Sequence, residues 1–287
     1  MLLIKASGIT DVGLKRESNE DAFSIDEDLR LYVVADGMGG HQAGEVASSI
    51  AVGVINSAFK KWLTTSAPEE ELFGLPDESL SLEGNYLTSS IRLANRVIHE
   101  LATMGDKRQG MGTTVAALLI MPSKVISANV GDSRIYLIRE GAIERLSKDH
   151  TIVAEQIEMG IMTPEEANTS SLKNILTRNL GSAEDVLPEV FELEPANSDR
   201  FVLCTDGLTD LVTDEEILDL TLKAEDPESL CRNFVDLALK RGAHDNTTVV
   251  SVFVSQKTNK ESPLRKPAMA LVDVWNSFQR VLKRLKP

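Results

Sequence analysis

An α+β sandwich is the fold class this chain predicts. Seven short runs rich in apolar and β-branched residues recur along it, and three long helical patterns interrupt them. Strand and helix do not alternate as a parallel doubly wound sheet requires, so two packed sheets with helices beside them fit better. A chain of 287 residues allows about two domains, or one large sandwich.

The strand-like runs are Ala22–Ile25, Leu31–Ala35, Thr113–Met121, Val125–Val130, Arg134–Arg139, Arg200–Thr205 and Thr247–Val254. Gly131-Asp132-Ser133 supplies the turn that separates two of them. In Gly44–Leu63, apolar residues fall at Val46, Ala47, Ile50, Ala51, Val54, Ala58 and Trp62, the spacing of a helix face. Tyr86–Met104 repeats the pattern at Leu87, Ile91, Ala94, Ile98 and Leu101, and Glu228–Arg241 at Leu230, Phe234, Leu237 and Ala238. Residues 66–85, with six acids, no bases and two prolines, read as a solvated loop. Residues 256–267 read as a linker. Ala268–Leu285 then sets Leu271, Val274, Trp275, Phe278, Val281, Leu282 and Leu285 on one helical face, with Arg280, Lys283, Arg284 and Lys286 near its end.

Charge divides the chain. The total is 30 basic against 44 acidic residues, net −14. Residues 256–287 carry eight basic and two acidic side chains, net +6, leaving 22 basic and 42 acidic ones, net −20, in the body. A body this acidic repels phosphate backbones and argues against nucleic-acid binding. Cys204 and Cys231 stand in apolar contexts and read as buried free thiols. The four histidines are scattered, which excludes a zinc site of ordinary spacing. The apolar start Met1-Leu2-Leu3-Ile4 is too short for a signal peptide or a span, so a cytoplasmic protein is expected.

Three aspartates sit where surface charge does not belong. Leu31–Ala35 runs into Asp36-Gly37-Met38-Gly39-Gly40, Phe201–Thr205 runs into Asp206-Gly207, and Asp245-Asn246 opens the last strand. An acid at the end of a buried strand is expensive unless a cation or hydrogen bonds compensate it. Adjacent glycines let backbone carbonyls approach a ligand. Carboxylates with a carbonyl, and no thiolate, suit Mg²⁺ or Mn²⁺. One such Asp alone reads as a turn or cap; three together, with Asn19-Glu20-Asp21 and Gly131-Asp132-Ser133-Arg134 in similar settings, point to metal.

The chain resembles the metal-dependent protein phosphatases of the type 2C (PPM) family in their bacterial form. The matching segments run in order: Thr10 to Arg16 and on to Asn19-Glu20-Asp21, Val34-Ala-Asp36-Gly-Met-Gly-Gly-His41 through Gly44-Glu45, Gly112-Thr113-Thr114, Asn129-Val-Gly-Asp132-Ser-Arg134, Leu146 to Thr151, Leu176-Thr-Arg178-Asn-Leu-Gly181, Cys204-Thr-Asp206-Gly207 and Asp245-Asn246-Thr-Thr248. The resemblance spans about residues 5–255. It implies a four-layer α-β-β-α sandwich of two mainly antiparallel sheets flanked by helices. It implies hydrolysis of phosphoserine and phosphothreonine by a metal-activated water with two Mn²⁺ or Mg²⁺ ions, and no phospho-enzyme. By the same resemblance Asp36 bridges both ions, the Gly37 carbonyl binds one, and Asp206 and Asp245 hold the other. Asp21 orients metal-bound water, and Asp132 with Asp206 matches a third, weaker site. Arg16 matches the phosphate-binding arginine, whose planar fork grips two oxygens. His41 is either the general acid for the leaving oxygen or a loop residue beside it. Residues 148–177 correspond to a mobile flap beside the metals. Ser170-Ser171-Leu172-Lys173-Asn174 stands where many relatives carry His-Pro, which leaves flap contacts and substrate preference open.

Other phosphate chemistries fail on residues. Cys-x₅-Arg is excluded, because Asp210 and Leu237 stand six positions after the two cysteines. Asp206-Gly207-Leu208 lacks the second acid of an aspartyl phosphatase, and Gln42 breaks a dinucleotide glycine pattern. The rival of another class is a catalytically weak type 2C-like binding or sensing module, whose mark is lost metal ligands. Expected partners are phosphorylated proteins and a cognate Ser/Thr kinase, with a monomer as the expected state. The basic tail has three readings: packing on the acidic body, docking a partner protein, or touching an anionic membrane surface from the cytoplasmic side.

Overall fold

A computed structural model describes residues 2–39, 43–104 and 110–256. His41, most of the linker and the C-terminal helix expected beyond it lie outside the described residues.

The chain opens with strands β1 (Leu2–Asp11), β2 (Asp21–Asp26) and β3 (Leu31–Met38), followed by helices α1 (Ala43–Thr65) and α2 (Leu82–Thr103). Strands β4 (Gly112–Thr113), β5 (Val115–Ile120), β6 (Val125–Val130), β7 (Arg134–Arg139) and β8 (Ala142–Arg145) come next. Two short helices, α3 (Ile152–Glu158) and α4 (Pro164–Thr169), precede β9 (Glu189–Leu193) and β10 (Arg200–Cys204). The described chain closes with α5 (Asp206–Thr209), α6 (Asp214–Lys223), α7 (Pro227–Lys240) and β11 (Thr247–Gln256). One sheet has the order β1-β11-β10-β7-β8 and the other β2-β3-β5-β6-β9, with β4 added on β3; every pairing is antiparallel.

Side-chain alternation builds the layers. Along β3, Tyr32 and Val34 enter a core shared with Ile135, Leu137, Phe201, Leu203, Val250 and Val252 of the opposite sheet. Leu31, Val33 and Ala35 point the other way, onto Ala47, Ile55, Phe59, Leu87 and Ile91 of α1 and α2. Val202, Cys204 and Val249 likewise face Ile217, Leu230 and Phe234 of α6 and α7. Both sheets are therefore covered on both faces, which is why their strands read as unbroken apolar runs rather than alternating ones. The expected α-β-β-α order and the buried free cysteines are what the structure contains.

Several elements differ from the sequence reading. The N-terminal run is a ten-residue strand, paired with β11 from Leu2 opposite Gln256 to Asp11 opposite Thr247. The expected strand Thr113–Met121 is two strands, broken at Thr114. Strands β8 and β9 and helices α4 and α6 were not anticipated. Residues 66–85 are not uniformly solvated: Glu69–Glu71 form a 3₁₀ turn, Ala67 and Leu72 are buried, and α2 already starts at Leu82, capped by Ser81. Among the described residues, no helix is long and apolar enough to cross a membrane.

Candidate metal centre and active site

Strand ends of the two sheets meet around a pocket of about 600 Å³ lined by Arg16, Asp36, Gly37, Asp132, Asp206 and Asp245. Six of the eight residues expected at the site thus share one cavity. Asp21 lies next to it, directly opposite Asp36 in the β2–β3 register. Only His41 is left out, since it falls outside the described residues. A second hollow of about 580 Å³ between α1 and α2 is walled by Ile50, Val54, Ala58, Trp62 and Leu93, and offers no comparable chemistry.

Each acid is held by its backbone or its neighbours. The Asp36 carbonyl accepts from Thr113 Oγ1 at 2.8 Å and from the Thr114 amide at 2.8 Å, while the Asp36 amide donates to Thr114 Oγ1 at 3.0 Å. The Gly-Thr-Thr motif is thus a clamp on Asp36. Thr114 in turn shares a 2.7 Å hydrogen bond with Ser133, beside Asp132. Gly37 has no room for a side chain, because an added Cβ would lie 2.2 Å from the Gly44 carbonyl oxygen. Asp21 Oδ2 accepts from Thr248 Oγ1 at 2.6 Å and Thr205 Oγ1 at 3.0 Å. Asn246 ties the Arg16 loop down: its amide group donates to the carbonyls of Val12 and Ser18, and its Oδ1 accepts from the Glu20 amide.

Arg16 and Asp245 meet each other. Nη2 of Arg16 lies 2.6 Å from Asp245 Oδ2, and this pairing keeps the guanidinium charged. An expected phosphate ligand and an expected metal ligand are therefore partners in this structure.

Electrostatically the pocket is overloaded with negative charge. Burial, followed by the charges of Asp21, Asp206, Asp132 and Asp245, pushes the Asp36 carboxyl well above the usual carboxylate range. Burial raises Asp21 to about 7 against the pull of its two threonine hydroxyls. Asp132 is raised to about 7 by burial and by Asp206, and Asp206 to about 6 by burial and by Asp245. Carboxylates that resist ionisation together invite a cation.

The donor set fits Mn²⁺ or Mg²⁺. Among the described residues, Oδ1 of Asp206 and Oδ1 of Asp21 are buried without a hydrogen-bond partner, and a backbone carbonyl stands at Gly37 between them in chain order. Among the described residues, no three His, Cys, Asp or Glu side chains converge closely enough to chelate an ion by themselves. Mg²⁺-like ions keep several waters and use only one or two carboxylates each, so a spread set is compatible with them.

Residues 148–177, expected as a flap, supply one wall of the pocket through Asn174, Ile175 and Leu176. His150, at its start, is buried and held neutral: burial, then the charges of Arg178 and Lys148, lower its pKa to about 4. Its Nδ1 accepts from the Gly131 amide at 3.0 Å, which ties the flap to the Asp132 turn. Thr114, Ser133, Thr205, Asn246 and Thr248 all carry the site, yet their role was not legible. All five stand within the motif segments, so position was the available signal and partner was not.

Fold and pocket together define a hydrolase-type scaffold: a four-layer sandwich with carboxylates and one arginine gathered at the end of its central sheets. The chain belongs to the protein phosphatase 2C family, whose profile matches residues 15–237. It is 35% identical over 246 residues to the serine/threonine phosphatase stp of Listeria welshimeri, covering 85% of this chain and 93% of that protein. It is also 35% identical over 249 residues to the serine/threonine protein phosphatase PstP of Mycobacterium tuberculosis, covering 87% of this chain and 45% of that protein. The crystal structure of the PstP catalytic domain in complex with two manganese ions superposes with a TM-score of 0.74 at 33% identity, over 89% of this chain and 100% of that one.

Proposed function

We propose that this protein hydrolyses phosphoserine and phosphothreonine monoesters in proteins, using Mn²⁺ or Mg²⁺, and so reverses the action of a Ser/Thr kinase in the cytoplasm. The observation that carries the proposal is the convergence of Asp36, Asp132, Asp206 and Asp245 with Arg16 in one pocket. Asp36 and the Gly37 carbonyl, with Asp206 and Asp245, would hold two ions, and Asp132 with Asp206 a third. When bound, these ions supply charge neutralisation and Lewis acidity toward water and phosphate oxygens.

The chain's own groups do the rest. Arg16 binds the phosphoryl group: its fork has five donors, so one edge can stay on Asp245 while another meets phosphate oxygens. Asp21 keeps one oxygen free beside the cavity, fixed in direction by Thr205 and Thr248, and orients the attacking water. The leaving alkoxide needs a proton, and His41 is the residue proposed to give it. The protein acts as a monomer on phosphoprotein substrates, opposite a cognate kinase.

A catalytically weak binding module is the disfavoured reading, because Asp21, Asp36, Asp206 and Asp245 are all retained. The test is phosphate release from p-nitrophenyl phosphate and from a phosphothreonine peptide with Mn²⁺ present. Turnover that chelation and Asp206→Asn both abolish is expected; a wild-type protein without such turnover overturns the proposal.

A further inference from the structure

The flap wall is anchored at one end and tied at the other. Near its base, the Ile152 amide donates to the Ile175 carbonyl at 2.9 Å and the Thr177 amide to the His150 carbonyl at 2.9 Å. Asn174, Ile175 and Leu176 then border the pocket, with Asp206 and Asp245 on its lining as well. Just before them, the Lys173 ammonium reaches Asp210 Oδ2 at 2.9 Å. Asp210 caps α5, and its amide donates to the Asp206 carbonyl at 2.8 Å. The flap wall is thereby linked to the short helix that begins with a pocket carboxylate.

We propose that the Lys173–Asp210 ion pair is a latch at the pocket rim that discriminates among phosphate esters by size, opening for a phosphorylated polypeptide and staying shut over a small aryl phosphate. The proposal rests on the phosphatase reading above. The pair has the properties of something that opens: its side chains are 40% and 20% exposed, so water and salt compete with it. Asp210 is not stranded when Lys173 leaves, because His244 Nε2 lies 3.4 Å from the same oxygen. The segment carries apolar surface, with Ile175 and Leu172 both exposed. A phosphoserine within a peptide brings flanking backbone that must pass this rim; a phenyl ring brings none.

The test compares wild type with Lys173→Met, Lys173→Arg, Asp210→Asn and the Lys173→Met/Asp210→Asn double variant at saturating Mn²⁺. The quantity read is kcat/KM for a phosphothreonine peptide divided by that for p-nitrophenyl phosphate. Lys173→Met should raise this ratio on the order of two- to five-fold, the span an exposed ion pair can supply, through a lower peptide KM. Lys173→Arg should keep the wild-type ratio, and the double variant should match the singles rather than add to them. Amide exchange at residues 172–176 should speed up in Lys173→Met, with the rest of the fold unchanged. Equal shifts for both substrates, a raised peptide KM, additive singles, or unchanged exchange each overturn the latch. If wild type turns over neither substrate, the phosphatase reading fails instead, and the exchange experiment still judges the latch.

Discussion

Replacing Thr248 with Val isolates what holds Asp21. The two side chains have nearly the same shape, and Thr248 is fully buried, so packing changes little while the hydroxyl is lost. That hydroxyl lies 2.6 Å from Asp21 Oδ2 and 2.7 Å from Thr10 Oγ1. A hydrogen bond to an ionised acceptor contributes about 1.5–3 kcal/mol, and among the described residues Thr205 is the other hydroxyl on that oxygen. The loss should depend on pH with a defined sign. The Thr248 hydroxyl favours the charged form of Asp21, whose carboxyl is raised to about 7. Above that value the carboxylate is charged and the missing donor is felt in full; near pH 5 Asp21 is protonated and the loss shrinks. Urea unfolding of the metal-free variant and wild type at pH 5 and pH 8 measures this directly. The variant should be weaker by about 2 kcal/mol at pH 8 and by clearly less at pH 5. Equal destabilisation at both values would refute the assignment of Thr248 as a support for the Asp21 charge.

Metal-free protein should melt lower at pH 8 than at pH 5. Asp21, Asp132 and Asp206 are raised above their ordinary value, so the stability they allow is full below about pH 4 and is lost as pH rises through about 6 to 7. Glu216, lowered to about 2 by Arg241, contributes nearly equally at both pH values. His150, lowered to about 4, gains stability as pH rises and opposes the trend as one group against three raised acids. Mn²⁺ should restore more stability at pH 8 than at pH 5 in thermal melts; an equal gain at both would mean the raised acids are not its ligands. Arg16→Ala should raise KM for a phosphopeptide on the order of tenfold or more, from the loss of a charge-assisted contact of about 1.5–3 kcal/mol. Arg16→Lys should recover little of it, and full recovery would argue against a forked phosphate contact. Gly207→Ala should lower the melting temperature sharply, since its Cβ would sit within 2 Å of the Asn246 carbonyl oxygen, a backbone atom that cannot yield cheaply; an unchanged melt would show that the α5 start is free to shift.

Much of the fold was legible because two cores leave a strong trace. Tyr32-Val33-Val34-Ala35 is apolar at every position, as only a strand buried on both faces can be. Helix α7 announced itself through Leu230, Phe234 and Ala238. What escaped notice depends on distant partners. Strand β1 is half-buried along most of its length, and its identity as a strand comes from β11, more than two hundred residues away. Strand β9 carries two glutamates in five residues, and Glu192 is there to hold Ser81 at the start of α2 and to pair with Lys124 at 3.0 Å. Helix α6 did leave a local sign: Thr213 and Glu216 form a reciprocal capping box, a pattern readable from spacing alone.

The site was legible for a narrower reason, which also explains its strangest feature. Asp21 and Asp36 come from one sheet, Asp206 and Asp245 from the ends of the other, and Asp132 from the turn that joins β6 to β7 across them. No local interaction draws these acids together; the inter-sheet core of Tyr32, Val34, Leu137, Leu203 and Val250 does. Each acid could be spotted singly, as a charge at the end of an apolar strand. Their meeting was expected only through the family resemblance, and the Arg16–Asp245 contact across 229 residues was expected from neither. Folding therefore forces like charges into one cavity, with, among the described residues, one arginine in contact and two carboxylate oxygens left without partners. A stable protein tolerates such repulsion only if the sheets hold regardless, or if a cation relieves it. The unbroken burial of the inter-sheet core meets the first condition, and the raised pKa values are the signature that the second is built in.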